Sequence, residues 1–425
     1  ALTNIASTDR TSEILEAVPF LVQALYSGCP NVREQAAWCL GNVSGDGPHN
    51  RDLVLNAGGL DPLLKNITQP ANESLLKNCT WSLSNLARGK PHPAKELIAP
   101  AFPILANLIN STDREVVIDA TWALSYLSDG SDERIATVVN SGVVPTLVSL
   151  LASGKAQVIV PALRCLGNIV SGSDDQTQAV VDNGVLANLV PLLSHQKKGI
   201  RKETCWMLSN IAAGSKAQLA ELMRTSGLIA PVLEQLAPSA EWDVRKEAAW
   251  VVSNVSTGGT SAHVHKLVEH GAIRPLCDLL DVGDVNILIV ALDALDAVLK
   301  SAGSAVQSFV DLIDEANGVE RVENLQTHES AEVYKRCVNL ISTYFGGEDD
   351  DDDAENLAPQ MTDGATFSFG TSATAAPTVF KFGGDAPAVA PAPTGQFSFG
   401  GMQTQANTNS VQNLSFGGPV SQFSF

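Results

Sequence analysis

The chain has 425 residues, with 27 Lys and Arg against 46 Asp and Glu, a formal net charge of −19, and 44% hydrophobic but only 5% aromatic residues. This is enough apolar material for one or more buried cores, yet no run reaches the roughly 18 to 20 consecutive apolar residues of a membrane span. The acidic balance excludes a general nucleic-acid binder, which needs clustered Lys and Arg to displace counterions. Basic partners are expected instead, and neither a membrane nor a nucleic acid. Seven cysteines (Cys29, Cys39, Cys79, Cys165, Cys205, Cys277 and Cys337) form no CxxC pair and lie mostly in apolar helical stretches, so they read as small core residues in a reducing compartment.

At the N-terminus, ALTNIAS reads as the second half of a helix. With Ala1 in place of Met and no leader-type segment, the sequence is expected to be a piece of a longer chain. From there a repeat organises the body. AAWCLGNVSG, CTWSLSNLARG, ATWALSYLSDG, ALRCLGNIVSG, TCWMLSNIAAG and AAWVVSNVSTGG place Trp38, Trp81, Trp122, Arg164, Trp206 and Trp250 in register, at steps of 43, 41, 42, 42 and 44. Four residues after each come Asn42, Asn85, Tyr126, Asn168, Asn210 and Asn254, and the phase extends back to Asn4 and forward to Leu292, Asp296 and Asn339. A period of about 42 lies in the range of armadillo and HEAT repeats.

Each unit reads as helical. NAGGLDPLLKNIT, SGVVPTLVSLLAS and HGAIRPLCDLLDV carry a Gly break and a Pro early in a helix. A longer amphipathic helix with the Trp-x-x-x-Asn positions follows, and the glycines of NVSGDG and NIVSG are expected to end it in a left-handed turn. The fold class is therefore all-α, a right-handed superhelical solenoid in which each unit contacts mainly its neighbours. The array is expected over residues 1–345 and a disordered tail over 346–425. The tail opens on EDDDDD, carries nine acidic residues and one lysine over 348–425, and has too little apolar surface to offset its chain entropy.

No enzyme motif is visible: GxxxxGK[ST], GxGxxG after a strand, GxSxG and HExxH are all absent, and no cofactor is expected. His263, His265 and His270 lack the Cys or carboxylate partners of a metal site and read as surface or helix-end residues. The Trp/Asn ladder is the candidate site. Residues i and i+4 share one helix face, so stacked units turn indoles and carboxamides into two parallel columns that can hold an extended backbone. Asp46, Asp119, Asp129, Asp174, Glu203 and Glu247 recur beside them. A lysine stem fits between indoles with its ammonium on a carboxylate. Packing alone offers no reason for the asparagines, whereas Trp242, outside the phase, reads as a packing or loop contact.

These segments, including Tyr126 where Asn is expected and Arg164 where Trp is expected, resemble the armadillo repeats of the importin-alpha family from Ala1 to about Phe345. The resemblance implies a nuclear import adaptor that binds basic localisation peptides at two groove sites and shuttles between cytoplasm and nucleus. It assigns Asn4, Gln35, Trp38, Asn42, Asp46, Asn78, Trp81, Asn85 and Asp119 to a major site, with Thr8 or Thr11 beside the key lysine. A minor site takes Arg164, Asn168, Asp174, Glu203, Trp206, Asn210, Glu247, Trp250 and Asn254. Implied partners are Lys/Arg-rich cargo peptides, importin-beta and an export receptor of the same class. The family's basic N-terminal segment and first ladder Trp are not in the sequence. The tail is similar to nucleoporin FG repeats, with Phe367, Phe369, Phe380, Phe382, Phe397, Phe399 and Phe416 in FxFG-like units that imply contacts with transport receptors or nucleoporins. The rival readings are an adhesion or signalling armadillo scaffold, which the carboxylates disfavour, and a pore component suggested by the tail.

Overall fold

The computed structural model describes residues 1–346 apart from Asp9, together with 360–363 and 366–368. The chain divides into two units, Ala1–Glu348 and Asp349–Phe425. The first is a stack of helical repeats. Its long helices are Pro30–Gly45, Glu73–Ala87, Arg114–Leu127, Ala156–Ile169, Lys198–Ala213, Trp242–Gly258 and Val285–Ser301, preceded by Leu2–Ala6 and followed by Ala331–Leu340. Each packs against the next. Its inward residues, such as Leu83, Leu124, Leu166, Leu208 and Val252, are fully buried and join one continuous core. This is the quasi-one-dimensional architecture of an armadillo solenoid.

The repeat holds three helices rather than the two legible in sequence. The additional short helix comes first, as in Pro48–Asn56, Asp132–Asn140, Asp174–Val181, Lys216–Arg224 and Ser261–Glu269. It buries only a few residues, Arg51, Val54 and Leu55 in Pro48–Asn56, so its apolar pattern is faint. The second helix carries its proline in the first turn, where a missing N–H costs least: Pro19 in Val18–Ala24, Pro103 in Phe102–Leu108 and Pro145 in Val144–Leu150. Four left-handed glycines lie between these first two helices, at Gly58 (φ 78°), Gly142 (77°), Gly184 (74°) and Gly271 (87°). The glycines of NVSGDG and NIVSG do not end their helices in this way, Gly45 being still helical and Gly47 extended at φ 161°, whereas Gly89 (98°) and Gly303 (57°) do follow the ends of long helices.

Hydrogen bonds between residues one repeat apart fix the stacking register. Asn66 Nδ2 donates to Leu25 O (3.0 Å), Ser82 Oγ to Ala37 O (2.7 Å), Gln176 Nε2 to Asp132 O (2.8 Å) and Gln218 Nε2 to Asp174 O (2.7 Å). Arg51, fully buried, holds the next inter-repeat loop, donating from Nη1 to Arg88 O (2.9 Å) and Gly89 O (3.2 Å) and from Nε to Asp52 Oδ1 (2.9 Å). Six of the seven cysteines are buried as expected, and burial pushes the Cys165 and Cys205 thiols up to about 12. Cys29 is exposed.

In the second unit, Gln360–Asp363 pairs antiparallel with Thr366–Ser368, Met361 opposite Phe367, with a register shift between Met361 and Asp363.

Replacing Arg51 by Met keeps the apolar stem but leaves the Arg88 and Gly89 carbonyls without their donor. A loss of about 1–3 kcal/mol in unfolding free energy is expected, read by urea titration.

Candidate functional site

The long helices present their i, i+4 ladder positions along one side of the stack. None of the phased indoles belongs to the core: Trp38 and Trp250 are each 41% exposed, while Trp81, Trp122 and Trp206 are half-buried. Asn85 and Asn168 are buried, Asn42, Asn210 and Asn254 half-buried, and Asn4 exposed.

Three ladder asparagines bind the preceding helix. Asn85 Nδ2 donates to Gly41 O (3.1 Å), Asn168 Nδ2 to Ser125 O (2.9 Å) and Asn254 Nδ2 to Ser209 O (2.9 Å). The acceptor is each time the residue before the previous ladder position, Asn42, Tyr126 or Asn210. This corrects the expectation that packing gives the asparagines no role: the NH2 end ties adjacent repeats. No donor among the described residues reaches the Oδ1 of these three. Asn42 and Asn210 make no such bond, and their buried Nδ2 atoms have no partner among the described residues.

The carboxylates differ in their surroundings. Asp46 is exposed and accepts from Asn50 Nδ2 (2.9 Å). Asp119 is half-buried, and burial, reinforced by Glu115 and Asp113, raises its pKa to about 7. Lys77, on the preceding long helix, pairs with Asp113 (3.0 Å) and Glu115 (3.5 Å). Burial also raises Glu247, which forms no ion pair among the described residues. Asp174 is exposed at the start of its helix and uses its backbone carbonyl for the Gln218 bond. Gln35 Oε1 accepts from Thr3 Oγ1 (3.2 Å), and Asn78 Nδ2 donates to Ser74 O (3.1 Å). Thr11 is buried, with its hydroxyl turned to Thr8 O (3.0 Å), while Thr8 is exposed and donates to Ile5 O (2.8 Å).

Between the two clusters the ladder closes on itself. Trp122 stacks on its own Tyr126, with ring centroids 5.7 Å apart and planes at 22°. Arg164 lies over the Trp206 ring (5.8 Å) and pairs with Glu203, Nη2 to Oε1 2.5 Å. The chain's own guanidinium therefore holds an indole and a carboxylate together, the arrangement expected for an incoming cation. Despite the pair, burial of the Glu203 carboxyl raises its pKa.

Beyond Trp250 the sequence register slips by one. Leu292 is fully buried and not a groove residue. Asp293, 43 residues after Trp250, is the half-buried outward residue, and it pairs with Arg336 another 43 residues on (Oδ1 to Nε 2.7 Å). In an apolar run such as ALDALDAVLK, one-residue shifts satisfy the pattern almost equally well, and only packing separates them. Trp242, the first residue of its helix and 37% exposed, shares a surface concavity with Val282, Gly283 and Asp284, in keeping with a loop contact, and has Lys246 Nζ 5.7 Å above its ring. His263 completes a capping box with Thr260, and His265 packs on Phe309. Among the proposed tail contacts, Phe367 lies in the strand Thr366–Ser368. Phe369, Phe380, Phe382, Phe397, Phe399 and Phe416 lie outside the described residues.

Because the Asp119 pKa is raised above its unfolded value, folding favours the protonated carboxyl. This contribution is lost as pH rises from about 4 to about 7. Asp119→Asn should therefore gain stability relative to the parent chain across that window and hold the gain at higher pH, as read by thermal melts at pH 4, 6 and 8.

The armadillo/beta-catenin-like repeat model matches residues 7–45, 47–88, 90–129, 131–171, 173–213 and 260–295, and the atypical Arm repeat model matches 307–360. Importin subunit alpha-1b of Oryza sativa subsp. japonica is 45% identical over 412 residues, covering 94% of this chain and 73% of that protein. Importin subunit alpha-2 of Arabidopsis thaliana is 46% identical over 383 residues, 87% of this chain and 70% of that one. An engineered protein of known structure superposes with a TM-score of 0.68 at 28% identity, over 80% of this chain and 92% of its own. A computationally designed armadillo repeat protein for modular peptide recognition gives 0.53 at 28%, over 57% and 98%. On repeats, architecture and relatives alike, the chain belongs to the importin subunit alpha family.

Proposed function

We propose that the chain is a nuclear import adaptor whose groove captures extended Lys/Arg-rich localisation peptides at two sites and links that cargo to importin-beta-type receptors. The observation that carries this reading is the recurrence of solvent-facing indoles beside half-buried carboxylates, Asp119 and Glu247, that form no ion pair among the described residues and whose pKa values burial raises. Burying a carboxylate without a partner is costly, and an incoming lysine ammonium removes that cost while its stem covers an indole. Arg164 on Trp206 and Glu203 supports the same chemistry from within the chain. The major site takes the residues from Asn4 to Asp119 and the minor site those from Arg164 to Asn254. The Trp122–Tyr126 stack and Arg164 divide them.

The receptor link, the export receptor, shuttling through the pore and any nucleoporin contact of the tail rest on the family relationship and on the FxFG-like motifs. An adhesion-type scaffold, which would need a basic groove for acidic partners, is disfavoured by the same carboxylates.

The test is fluorescence anisotropy with a labelled lysine-rich peptide. Binding should weaken as salt rises, because the contacts are ion pairs at a partly exposed surface. Asp46→Lys should reduce major-site binding by an order of magnitude or more by placing like charge against the lysine. Glu247→Arg should weaken only peptides with a second basic cluster. Affinity should rise with pH through about 7 as Asp119 ionises, and Asp119→Asn should flatten that rise. Equal binding of both peptide types by all variants would overturn the site assignment.

A further inference from the structure

The residue immediately before each ladder position is small, and at two places, Gly41 and Gly167, it lies against the indole of the next repeat. It is Gly41 and Gly167 in two helices, Ser84, Ser125, Ser209 and Ser253 in four, and Thr3 in the N-terminal one. A Cβ on Gly41 would overlap the Trp81 ring, lying 2.8 Å from its Cε3, and would come within 2.5 Å of Ser82 Oγ. A Cβ on Gly167 would overlap Trp206 in the same way, 2.9 Å from Cε3. Real Cβ atoms do not approach so closely, so each indole rests on bare helix backbone.

The fold itself does not require glycine there. The four serines are buried at the same position, and those at 84, 125 and 209 turn their hydroxyls onto their own helix, to Trp81 O, Trp122 O and Trp206 O. What changes is the indole on the next helix. Trp81 and Trp206, behind the glycines, are half-buried. Trp38 behind Thr3 and Trp250 behind Ser209 are each 41% exposed; Trp122 behind Ser84 is half-buried as well, but it is stacked on its own Tyr126.

We infer that Gly41 and Gly167 are specificity-determining positioning residues, one for each peptide site, that seat Trp81 and Trp206 deep against the preceding helix. Each site then pairs one deep indole with one raised indole: Trp38 with Trp81, and Trp206 with Trp250. A long unbranched side chain lies between a recessed wall and a protruding one. Both glycines have the same effect, although their sites lie on opposite sides of the break. This inference rests on the proposed peptide-binding reading, and it assigns the glycines a role that hydrophobic periodicity does not.

The experiment uses the full chain, Gly41→Ala and Gly167→Ala, with two labelled peptides, one carrying a single lysine-rich cluster and one carrying two clusters joined by a polar linker. Gly41→Ala should weaken the single-cluster peptide roughly tenfold or more, as expected for a methyl forced into a close-packed contact. Gly167→Ala should leave that peptide unchanged and remove the extra affinity of the two-cluster peptide. A second readout needs no peptide: Gly41→Ala should increase acrylamide quenching of tryptophan emission, and that increase should vanish in a Trp81→Phe background. Unchanged quenching, or equal weakening of both sites together with a lowered melting temperature, would overturn the inference. If the parent chain binds neither peptide, the peptide-binding reading fails, while the quenching result still decides whether the glycine seats the indole.

Discussion

The amide of a ladder asparagine, donating to a carbonyl of the helix before it, is the contact on which the groove depends. Asn85, Asn168 and Asn254 each reach back one repeat to Gly41, Ser125 and Ser209. A buried amide needs a partner, and here the partner is the backbone of the neighbouring unit, so satisfying the side chain also sets the stacking register. That bond uses the NH2 end and leaves the Oδ1 without a donor among the described residues. In the proposed function, the structural bond and the peptide contact thus belong to opposite ends of one carboxamide. Asn66, Gln176 and Gln218 repeat the device on other helices of the unit, tying each to its neighbouring repeat.

Charge is arranged around this scaffold by the same nearest-neighbour logic. Lys77 is held by Asp113 and Glu115, Arg164 by Glu203, and Arg336 by Asp293. Each is an acid–base pair between successive long helices. Asp119 and Glu247 are left without such a partner among the described residues, and their raised pKa values express what half-burial of an unpaired carboxyl costs. The two carboxyls lie on either side of the internal Arg164–Trp206 contact in sequence. An uninterrupted row of repeats becomes two candidate sites through side chains alone, with no change in the helical scaffold.

Much of this arrangement is legible in the order of residues alone. A period of about 42 with Trp and Asn four apart requires helices, and tryptophan repeated with carboxylates beside it marks a face that water reaches. Tyr126 and Arg164 stand out as substitutions in an otherwise regular pattern. The short first helix of each repeat is not legible, because it buries too few residues to show a period. The turn glycines are easily assigned to the wrong boundary, since both helix ends carry Gly and sequence does not say which has φ above zero. Periodicity puts Leu292 in the ladder where Asp293 belongs, because ALDALDAVLK satisfies helical spacing in more than one register.

The sequence by itself determined the repeat, the helical face and the residue types on it, because these follow from local periodicity and from the chemistry of each side chain. Tertiary structure alone decided which end of Asn85, Asn168 and Asn254 is bound, which carboxylates form no ion pair among the described residues, and which indoles are recessed. Those properties belong to pairs of residues some forty positions apart. Trp81 and Trp250 occupy the same ladder position in sequence, but one rests on Gly41 and the other lies behind Ser209, and only packing distinguishes their surroundings.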